Sequence, residues 1–244
     1  MRIVASIEAR MRSTRLPGKV LKPILGKPMM ERMIERVRQS RYVNDIVVAT
    51  TEHESCDCIE QLAEELGVFC YRGSEEDVLA RVSEALVYAG ADVAVILTGD
   101  MPVADPQLID KVVEAFLESK ADYCANSLIQ TYPRGLGVQV MPTALLVQSA
   151  KTATSIEHRE HATLYLREHP DLFRHVNISS GLPPEVAAYR LTVDTPEDYE
   201  LITKIYEALY PKNPAFSLED ILKLFASHPE LPRINAAVRQ KSVR

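Results

Sequence analysis

The chain alternates short apolar runs with segments in which apolar residues recur every three or four positions. The run at 2–7 is typical of a buried strand, and the apolar stripe at 29–37 is typical of a helix, with Pro28 suited to its first turn. The same pattern predicts further strands at 45–50, 68–71, 92–98, 123–128, 172–178 and 189–193. It also predicts helices at 58–66, 78–89, 106–117, 142–150, 156–168, 195–210 and 217–226.

Strands that alternate with helices predict an α/β fold. Right-handed crossovers build a doubly wound, mostly parallel sheet. The run 92–98 is apolar almost throughout, as expected for a central strand covered on both faces. With 244 residues, 46% of them hydrophobic, we expect a single domain over 1–244. Two glycines and a proline in 130–141 predict a hairpin excursion within that domain.

Positive charge is concentrated near the start of the chain. Residues 1–41 contain eleven Arg or Lys and three acidic residues, so they carry +8 while the whole chain carries −6. Such concentration argues against nucleic acid as a partner, because the rest of the surface is strongly acidic. We expect Arg32, Arg36 and Arg38 to form only the solvated face of the first helix.

Other compositional features exclude some classes. No apolar run approaches the ~20 residues of a membrane span, and the start lacks a signal peptide's apolar core, so we expect a cytoplasmic protein without membrane contact. Cys56, Cys58, Cys70 and Cys124 form no C-x-x-C pair, which predicts reduced structural thiols. The last dozen residues predict a disordered tail.

A loop with Ser, Gly and several cations follows the first strand, at 9–19. Ligands of open α/β sheets bind beyond the carboxyl ends of the strands, where such a loop offers backbone donors and positive charge to a polyphosphate. Asp100 and Asp194 each follow an apolar run, so their carboxylates should reach the same edge and hold a hydrated Mg²⁺. For Asp194 alone, a turn or capping role is an equal alternative.

Five segments carry a resemblance to a known family: Ala-Arg-x-x-Ser-x-Arg-Leu-Pro-Gly-Lys at 9–19, Arg-Gly-Ser-Glu-Glu-Asp-Val-Leu-x-Arg at 72–81, Thr-Gly-Asp-Met-Pro at 98–102, Arg-Glu-His at 159–161 and Arg-Leu-Thr-Val-Asp-x-Pro-Glu-Asp at 190–198. With them, nearly the whole chain resembles the cytidylyltransferase family of CMP-Kdo and CMP-acylneuraminate synthetases. The resemblance is closest to the spore-coat-polysaccharide (SpsF-like) branch.

The resemblance implies an enzyme that transfers CMP from CTP to an acidic sugar, with Mg²⁺ as cofactor and release of pyrophosphate, in surface polysaccharide biosynthesis. It also implies a Rossmann-like sheet of the nucleotide-diphospho-sugar transferase type, and a homodimer for which 130–141 is the expected contact. The implied nucleotide contacts are Ala9, Arg10, Ser13, Arg15, Lys19, Gly73, Ser74, Asp77, Arg81 and Asp100, with Lys19, Arg15 and Asp100 as catalytic residues. The implied metal ligands are Asp100 and Asp194, and the implied acceptor contacts are Arg134, Gln139, Arg159 and His161.

Two of these segments leave alternatives open. Residues 73–81 also fit an ordinary helix cap, with Ser74 as the cap residue, and 159–161 also fit a solvated ion-pair surface. Residues 132–140 depart from the branch pattern Pro-Asp-Gly-Leu-Asp-Val-Glu-Val, because Arg134, Gly137 and Gln139 stand where acids are common. The loss of three carboxylates predicts a more positive pocket, which suits a more acidic acceptor or one with an extra anionic group.

Three other functions compete with this hypothesis. A sugar-1-phosphate nucleotidyltransferase also combines a basic loop with a strand-end aspartate. A GT-A glycosyltransferase would carry Asp-x-Asp, where this chain has Gly-Asp-Met at 99–101. A non-catalytic nucleotide-binding protein would not need Lys19 together with both aspartates.

Overall fold

The computed structural model describes residues 1–240, and strands form its centre. Within those residues the strands are β1 (Ile3–Glu8), β2 (Pro23–Ile24), β3 (Lys27–Pro28), β4 (Asp45–Thr51), β5 (Phe69–Gly73), β6 (Val93–Thr98), β7 (Tyr123–Ala125), β8 (Gln139–Pro142) and β9 (His175–Asn177). Seven strands form one sheet in the order β5-β4-β1-β6-β8-β7-β9, and β2 pairs with β3. β8 runs antiparallel to β6 and β7, whereas the other pairings in the large sheet are parallel. The predicted mostly parallel α/β fold is therefore confirmed.

Helices cover both faces of the sheet. They are α1 (Met29–Val37), α2 (Asp57–Glu65), α3 (Val78–Tyr88), α4 (Pro106–Glu118), α5 (Thr143–Thr152), α6 (Ile156–Glu160), α7 (Leu164–Glu168), α8 (Pro196–Leu209) and α9 (Leu218–Ser227). One core layer contains residues of α1, α2, α4, α8 and α9, and the other contains residues of α3, α5 and α7. Side chains of β1 alternate between the layers: Ile7 packs in the first and Val4 in the second.

The carboxyl ends of β1 and β6 are held close together. The backbone N–H of Gly99 donates to the carbonyl of Glu8 at 2.8 Å. A Cβ atom at position 99 would lie 2.6 Å from that same carbonyl oxygen, so only glycine allows this approach. The loops that follow the two strands consequently start from one point at the edge of the sheet.

The prediction that Arg32, Arg36 and Arg38 form a solvated face of α1 is wrong for two of these three arginines. Arg36 is 1% exposed and donates to the carbonyls of Ala104 and Phe216, with its guanidinium 4.1 Å from the Phe216 ring centroid. Arg32 is also buried, whereas Arg38 is exposed as expected. Backbone carbonyls from other segments satisfy the buried guanidinium groups, which a helical charge pattern does not reveal.

The excursion expected at 130–141 is a long connection between β7 and β8, two consecutive strands that pair antiparallel, rather than a separate hairpin. Residues 139–142 form β8 inside the main sheet, and the preceding residues buried against the core include Tyr132, Leu136 and Val138. The predicted strand at 189–193 is reduced to a single bridge between Arg134 and Arg190. A role of this segment in a homodimer stays a prediction.

Gly135 fixes that bridge, and its replacement is expected to destabilise the fold. Its φ is +92°, and an added Cβ would lie 2.4 Å from the Leu191 carbonyl carbon and oxygen. Because backbone cannot yield easily, Gly135→Ala should lower the free energy of unfolding by about 3 kcal/mol or more. Gly137→Ala is the matched control: its nearest neighbour, Ser127, would be 3.9 Å away, so it should change stability by about 1 kcal/mol or less. Urea unfolding measures both, and equal stabilities would contradict this role of Gly135.

The segments after β8 differ from their predicted bounds. The helix expected at 156–168 is two helices, α6 and α7, because His161 has extended backbone with φ −128° and ψ 109°. The strand expected at 172–178 is shortened to β9. Asn235 is 2% exposed and hydrogen-bonded, so the expected disordered tail is wrong for residues 233–240. Residues 241–244 lie outside the described residues.

The helices and the cysteines of residues 1–240 relate to the expectations about membrane spans and thiols. Every helix in that range is too short or too polar to cross a bilayer. The four cysteines are free thiols; Cys56 and Cys124 are buried and Cys58 is exposed.

Candidate active site

Two adjoining cavities open beyond the carboxyl ends of β1 and β6, and both are lined by Thr98, Asp100 and Asp194. The basic cavity, of about 440 Å³, is also lined by Glu8, Ala9, Arg10, Ser13, Thr14, Arg15, Lys19, Val20, Val78, Arg81, Gly99, Glu160 and His161. The Tyr132 cavity, of about 210 Å³, is also lined by Met101, Asn126, Ser127, Gln130, Tyr132, Pro133, Arg134, Gly135, Gly137, Gln139, Thr192 and Gln240. The shared aspartates therefore stand where two bound molecules would meet.

The loop 9–19 is a compact turn that presents its cations to the basic cavity. Gly18 takes a φ of +67°, and its N–H donates to the Met11 carbonyl at 2.9 Å, which closes the turn. Buried Leu16 and Val20 anchor the loop in the core. Lys19 begins the short 3-10 helix Lys19–Leu21 and extends toward the aspartates.

The Lys19 ammonium lies at the junction of the two cavities. Its Nζ donates to Asp194 Oδ1 at 3.0 Å, to Asp100 Oδ2 at 3.4 Å and to the Val193 carbonyl at 2.7 Å. Only 13% of the Lys19 side chain is exposed, so water screens these interactions weakly. Both aspartates predicted from sequence thus meet the same cation.

Asp194 is held by a network of arginines. Arg15 contacts its Oδ2 at 3.0 Å, and Arg190 contacts the same oxygen at 3.3 Å while also pairing with the fully buried Asp198. Burial raises the pKa of Asp194, but Lys19, Arg15 and Arg190 outweigh it, so the pKa lies below its ordinary value. Asp194 is ionised at neutral pH.

Asp198 explains why the chain turns at this point. Its Oδ2 accepts from the backbone N–H groups of Asp194 and Thr195, and the Thr195 hydroxyl accepts from the Asp198 N–H. This capping box starts α8, with Pro196 at its first position. The same carboxylate therefore caps a helix and orients Asp194 through Arg190.

Asp100 is fixed from both sides. The Thr98 hydroxyl donates to its Oδ1 at 2.6 Å, and its backbone carbonyl accepts from Val193 N–H at 2.9 Å. The second contact ties the end of β6 to the segment that carries Asp194. The two carboxylates consequently keep a fixed relation although 94 positions separate them in sequence.

The donor set fits Mg²⁺. Mg²⁺ in phosphate-handling sites takes one or two carboxylates and fills its remaining positions with phosphate oxygens and water. Asp100 and Asp194 could supply two hard oxygen ligands, and within residues 1–240 no group of three or more His, Cys, Asp or Glu side chains could hold a metal alone. Such a site requires oxygens from a bound phosphate to be complete.

Of the segment 73–81, Val78 and Arg81 line the basic cavity, whereas the predicted nucleotide contacts Gly73, Ser74 and Asp77 line neither cavity. Asp77, not Ser74 as predicted, is the helix cap of α3: its carboxylate accepts from the Ala80 N–H at 2.9 Å, and Ser74 Oγ accepts from Asp77 N–H. Arg81 is 2% exposed and donates through Nη1 to the Ser74 carbonyl, while its buried Nε has no partner in the described residues. Gly73 leaves room for the stem of Arg81, whose Cγ would be 3.2 Å from an added Cβ.

The predicted acceptor residues separate in space. Arg134 and Gln139 line the Tyr132 cavity, whereas His161 lines the basic cavity. Arg159 lines neither of them: it pairs with Asp77 at 2.8 Å and donates to the Ala150 carbonyl. Its expected acceptor contact stays a prediction, and in this structure α6 directs the side chain toward the cap of α3.

Sequence reasoning missed Glu8 and Gln240. Glu8 ends an apolar strand at the ligand edge, a signal that was available in the sequence. Burial raises its pKa to about 7, with opposing effects from Arg81 and Arg10 and a further rise from Asp100. Gln240 accepts from Arg190 at 2.8 Å and lines the Tyr132 cavity, for which the pattern of its segment gives no signal.

The raised pKa of Glu8 makes stability depend on pH. A carboxyl group whose folded pKa is above its unfolded value stabilises the fold below about pH 4.5, and this contribution is lost as the pH rises through about 7. Glu8→Gln removes the titration, so its stability relative to the parent should be higher at pH 8 than at pH 4.5, by about 1–3 kcal/mol. Denaturant unfolding at both pH values measures this difference. A difference that does not change with pH would show that Glu8 ionises freely.

Comparisons with known proteins were made for the whole chain. A family model described as cytidylyltransferase matches residues 4–230. The chain is 35% identical over 233 residues to the spore coat polysaccharide biosynthesis protein SpsF of Bacillus subtilis, covering 93% of this chain and 95% of that protein. It is 28% identical over 194 residues to a 3-deoxy-manno-octulosonate cytidylyltransferase of Chloroherpeton thalassium, covering 78% and 77%. A solved cytidylyltransferase from Leptospira borgpetersenii matches with a TM-score of 0.89 and 30% identity, covering 99% of both chains.

Proposed function

Because the chain belongs to the cytidylyltransferase family and is therefore a CTP-dependent nucleotidyltransferase, we propose that it transfers CMP from CTP to an acidic sugar and releases pyrophosphate. The proposed reaction depends on Mg²⁺ and serves surface polysaccharide biosynthesis. The observation that carries the proposal is the position of Lys19, Asp100 and Asp194 between two cavities.

Each cavity receives one substrate. The basic cavity suits the triphosphate, since Arg10, Arg15 and Lys19 line it. The Tyr132 cavity then receives the acceptor, and the α-phosphorus lies at the shared wall. Substrates placed this way react as neighbours rather than by random encounter, which alone lowers the barrier considerably.

The transfer is an in-line displacement at the α-phosphorus. An oxygen of the acceptor hydroxyl forms a bond to phosphorus, the bond from phosphorus to the α,β-bridging oxygen breaks, and the hydroxyl proton passes to water. Lys19 and Arg15 stabilise negative charge on the phosphate oxygens and on departing pyrophosphate. Asp100 and Asp194 would hold Mg²⁺, which when bound supplies Lewis-acid neutralisation of phosphate charge.

The acceptor class has two supports. One relative is named for spore coat polysaccharide biosynthesis and another as a 3-deoxy-manno-octulosonate cytidylyltransferase. Independently, Arg134 is the one cation among the described residues lining the Tyr132 cavity, and it has no ion-pair partner within residues 1–240. An anionic acceptor would pair with it.

Transfer itself is tested with CTP labelled at the α-phosphate. With Mg²⁺ and an acidic sugar, the label should appear in a CMP-sugar product, and unlabelled pyrophosphate should form in equal amount. Label that stays in CTP with every acceptor, or appears only in CMP, would contradict transfer.

Arg134→Asp tests the acceptor side. The variant replaces the cavity's cation with an anion and should lower kcat/KM for both classes of acceptor. The decrease should be roughly tenfold to a hundredfold larger for acceptors with an extra anionic group than for acceptors with one carboxylate. Arg174→Asp makes the same charge change at an exposed position outside both cavities and serves as the control. If Arg134→Asp left the ratio of kcat/KM between the two classes of acceptor unchanged, Arg134 would not recognise the charge of the acceptor.

A further inference from the structure

Glu8 is a polar residue of the basic cavity to which the proposed reaction gives no role. It ends β1 and pairs in register with Thr98 on one side and Ala49 on the other. Alternation along β1 places its side chain on the face that α3 covers, opposite to Ile7. There it lines the cavity together with Arg81 and Asp100.

The Glu8 carboxylate has unused hydrogen-bonding capacity. Within residues 1–240, no side chain donates a hydrogen bond to it and no cation lies within 4 Å of it. The cations around it have other contacts: Arg81 donates to the carbonyls of Ser74 and Glu75, and Arg10 faces the Glu75 carboxylate at 3.9 Å. Glu8 is only partly buried and faces the open cavity, so water can reach its oxygens in the free protein, and a hydroxyl group of a ligand that enters the cavity can replace that water as the donor.

The position of Glu8 identifies which part of a nucleotide would supply that donor. In the sheet, β1 lies between β4 and β6: beyond β4 is β5, whose last residue Gly73 packs against Arg81, and β6 leads to Asp100, where the α-phosphorus is proposed to lie. Phosphate oxygens only accept hydrogen bonds and would repel a carboxylate. The ribose joins the base to the α-phosphate and carries two neighbouring hydroxyl donors, which match the two oxygens of a carboxylate.

We propose that Glu8 accepts hydrogen bonds from the ribose hydroxyls of the bound nucleotide and thereby makes the enzyme select ribonucleotides over deoxyribonucleotides. The inference rests on the proposed function in placing the triphosphate in the basic cavity. It assigns to this chain a residue that reads the sugar of the nucleotide, separately from the groups that bind its phosphates.

Calorimetric binding without acceptor tests the proposal. CTP, 2′-deoxy-CTP and 3′-deoxy-CTP are titrated with Mg²⁺ into the parent, Glu8→Ala, Glu8→Gln and the control Glu64→Gln, which changes an exposed carboxylate on α2. At pH 8, above the raised pKa of Glu8, hydrogen bonds to its charged form predict that the parent and the control bind CTP roughly tenfold to a hundredfold more tightly than at least one deoxy analogue. In Glu8→Ala that ratio should fall to about one because CTP binding weakens, and Glu8→Gln, with one acceptor oxygen, should lie between.

Two results would overturn the assignment. In the first, Glu8→Ala weakens the binding of CTP and of both analogues equally, which indicates a structural role. In the second, the parent binds all three nucleotides with equal affinity. Failure of the proposed function gives a different result: in the transfer experiment, the label from the α-phosphate of CTP then appears in no acceptor. If another ribonucleoside triphosphate binds the parent in place of CTP, the same comparison is made with that nucleotide and its deoxy forms. The role of Glu8 is thus decided independently of the transferred base.

Discussion

Lys19→Met is expected to lower the rate of CTP-dependent pyrophosphate release by at least about a hundredfold, the cost typical of losing a preorganised group that stabilises transition-state charge. Methionine keeps much of the side chain's length but removes the ammonium that lies 3.0 Å from Asp194 and 3.4 Å from Asp100. The loss has two parts: phosphate charge is no longer neutralised, and the two carboxylates lose the cation that joins them. Single-turnover rates at saturating CTP measure the effect of both losses on the chemical step, because CTP binding no longer limits the rate.

Lys204→Met is the matched control, because Lys204 lies on α8 with a loose contact to Glu200 at 3.8 Å. It should keep the parental rate. Circular dichroism and thermal unfolding confirm that both variants fold. If folded Lys19→Met released pyrophosphate within a few-fold of the parental rate, Lys19 would not belong to the catalytic machinery.

Asp194→Asn is expected to reduce transfer by a similar or larger factor and to weaken metal binding in the presence of CTP. The amide keeps the shape of the side chain but loses the charge that faces Arg15, Lys19 and Arg190. Even groups that only orient metal ligands cost about 10- to 100-fold in affinity when changed, so loss of a proposed ligand should cost at least that much. Mn²⁺ binding followed by electron paramagnetic resonance reads the affinity directly, without turnover.

The control for this variant is Asp171→Asn, an exposed carboxylate outside both cavities. Its Mn²⁺ affinity and its rate should equal those of the parent. Lost transfer with unchanged Mn²⁺ affinity in Asp194→Asn would assign this residue to positioning Lys19 and Arg15 rather than to the metal.

The pairing of Asp100 with Asp194 was predictable because it follows from a general rule of parallel sheets. Residues that follow strands at the carboxyl edge meet there, however far apart they are in sequence. The rule gave the right place even though 190–193 forms no strand in the structure. What holds that segment is a side-chain network around Asp198 and a backbone bond from Val193 to Asp100, and neither produces a periodic pattern.

Features that depend on tertiary partners could not be predicted. Arg36 is exposed or buried according to whether distant carbonyls reach it, and those of Ala104 and Phe216 do. Likewise, the polar composition of the last residues is typical of a tail, yet Asn235 donates to Asp198 at 2.7 Å. Such contacts join segments far apart in sequence, so local propensity and charge patterns carry no information about them.

The family match identifies the class of enzyme, whereas the identity of the acceptor depends on residues of the Tyr132 cavity. Membership of the cytidylyltransferase family follows from a match over residues 4–230. Residues that complete the Tyr132 cavity include Gln240, which lies beyond that match, and Arg134, which departs from the branch pattern. The acceptor is therefore best sought through the chemistry of this chain's own cavity.

The most direct test of the central claim is a matrix of pyrophosphate release with Mg²⁺ and each of CTP, UTP, GTP and ATP. Each nucleotide is paired with ulosonic acids, nonulosonic acids, sugar-1-phosphates and phosphonates. Release that requires CTP together with an acidic sugar is the predicted result. Release only with a sugar-1-phosphate, or with no pair although CTP binds, would contradict the proposed transfer.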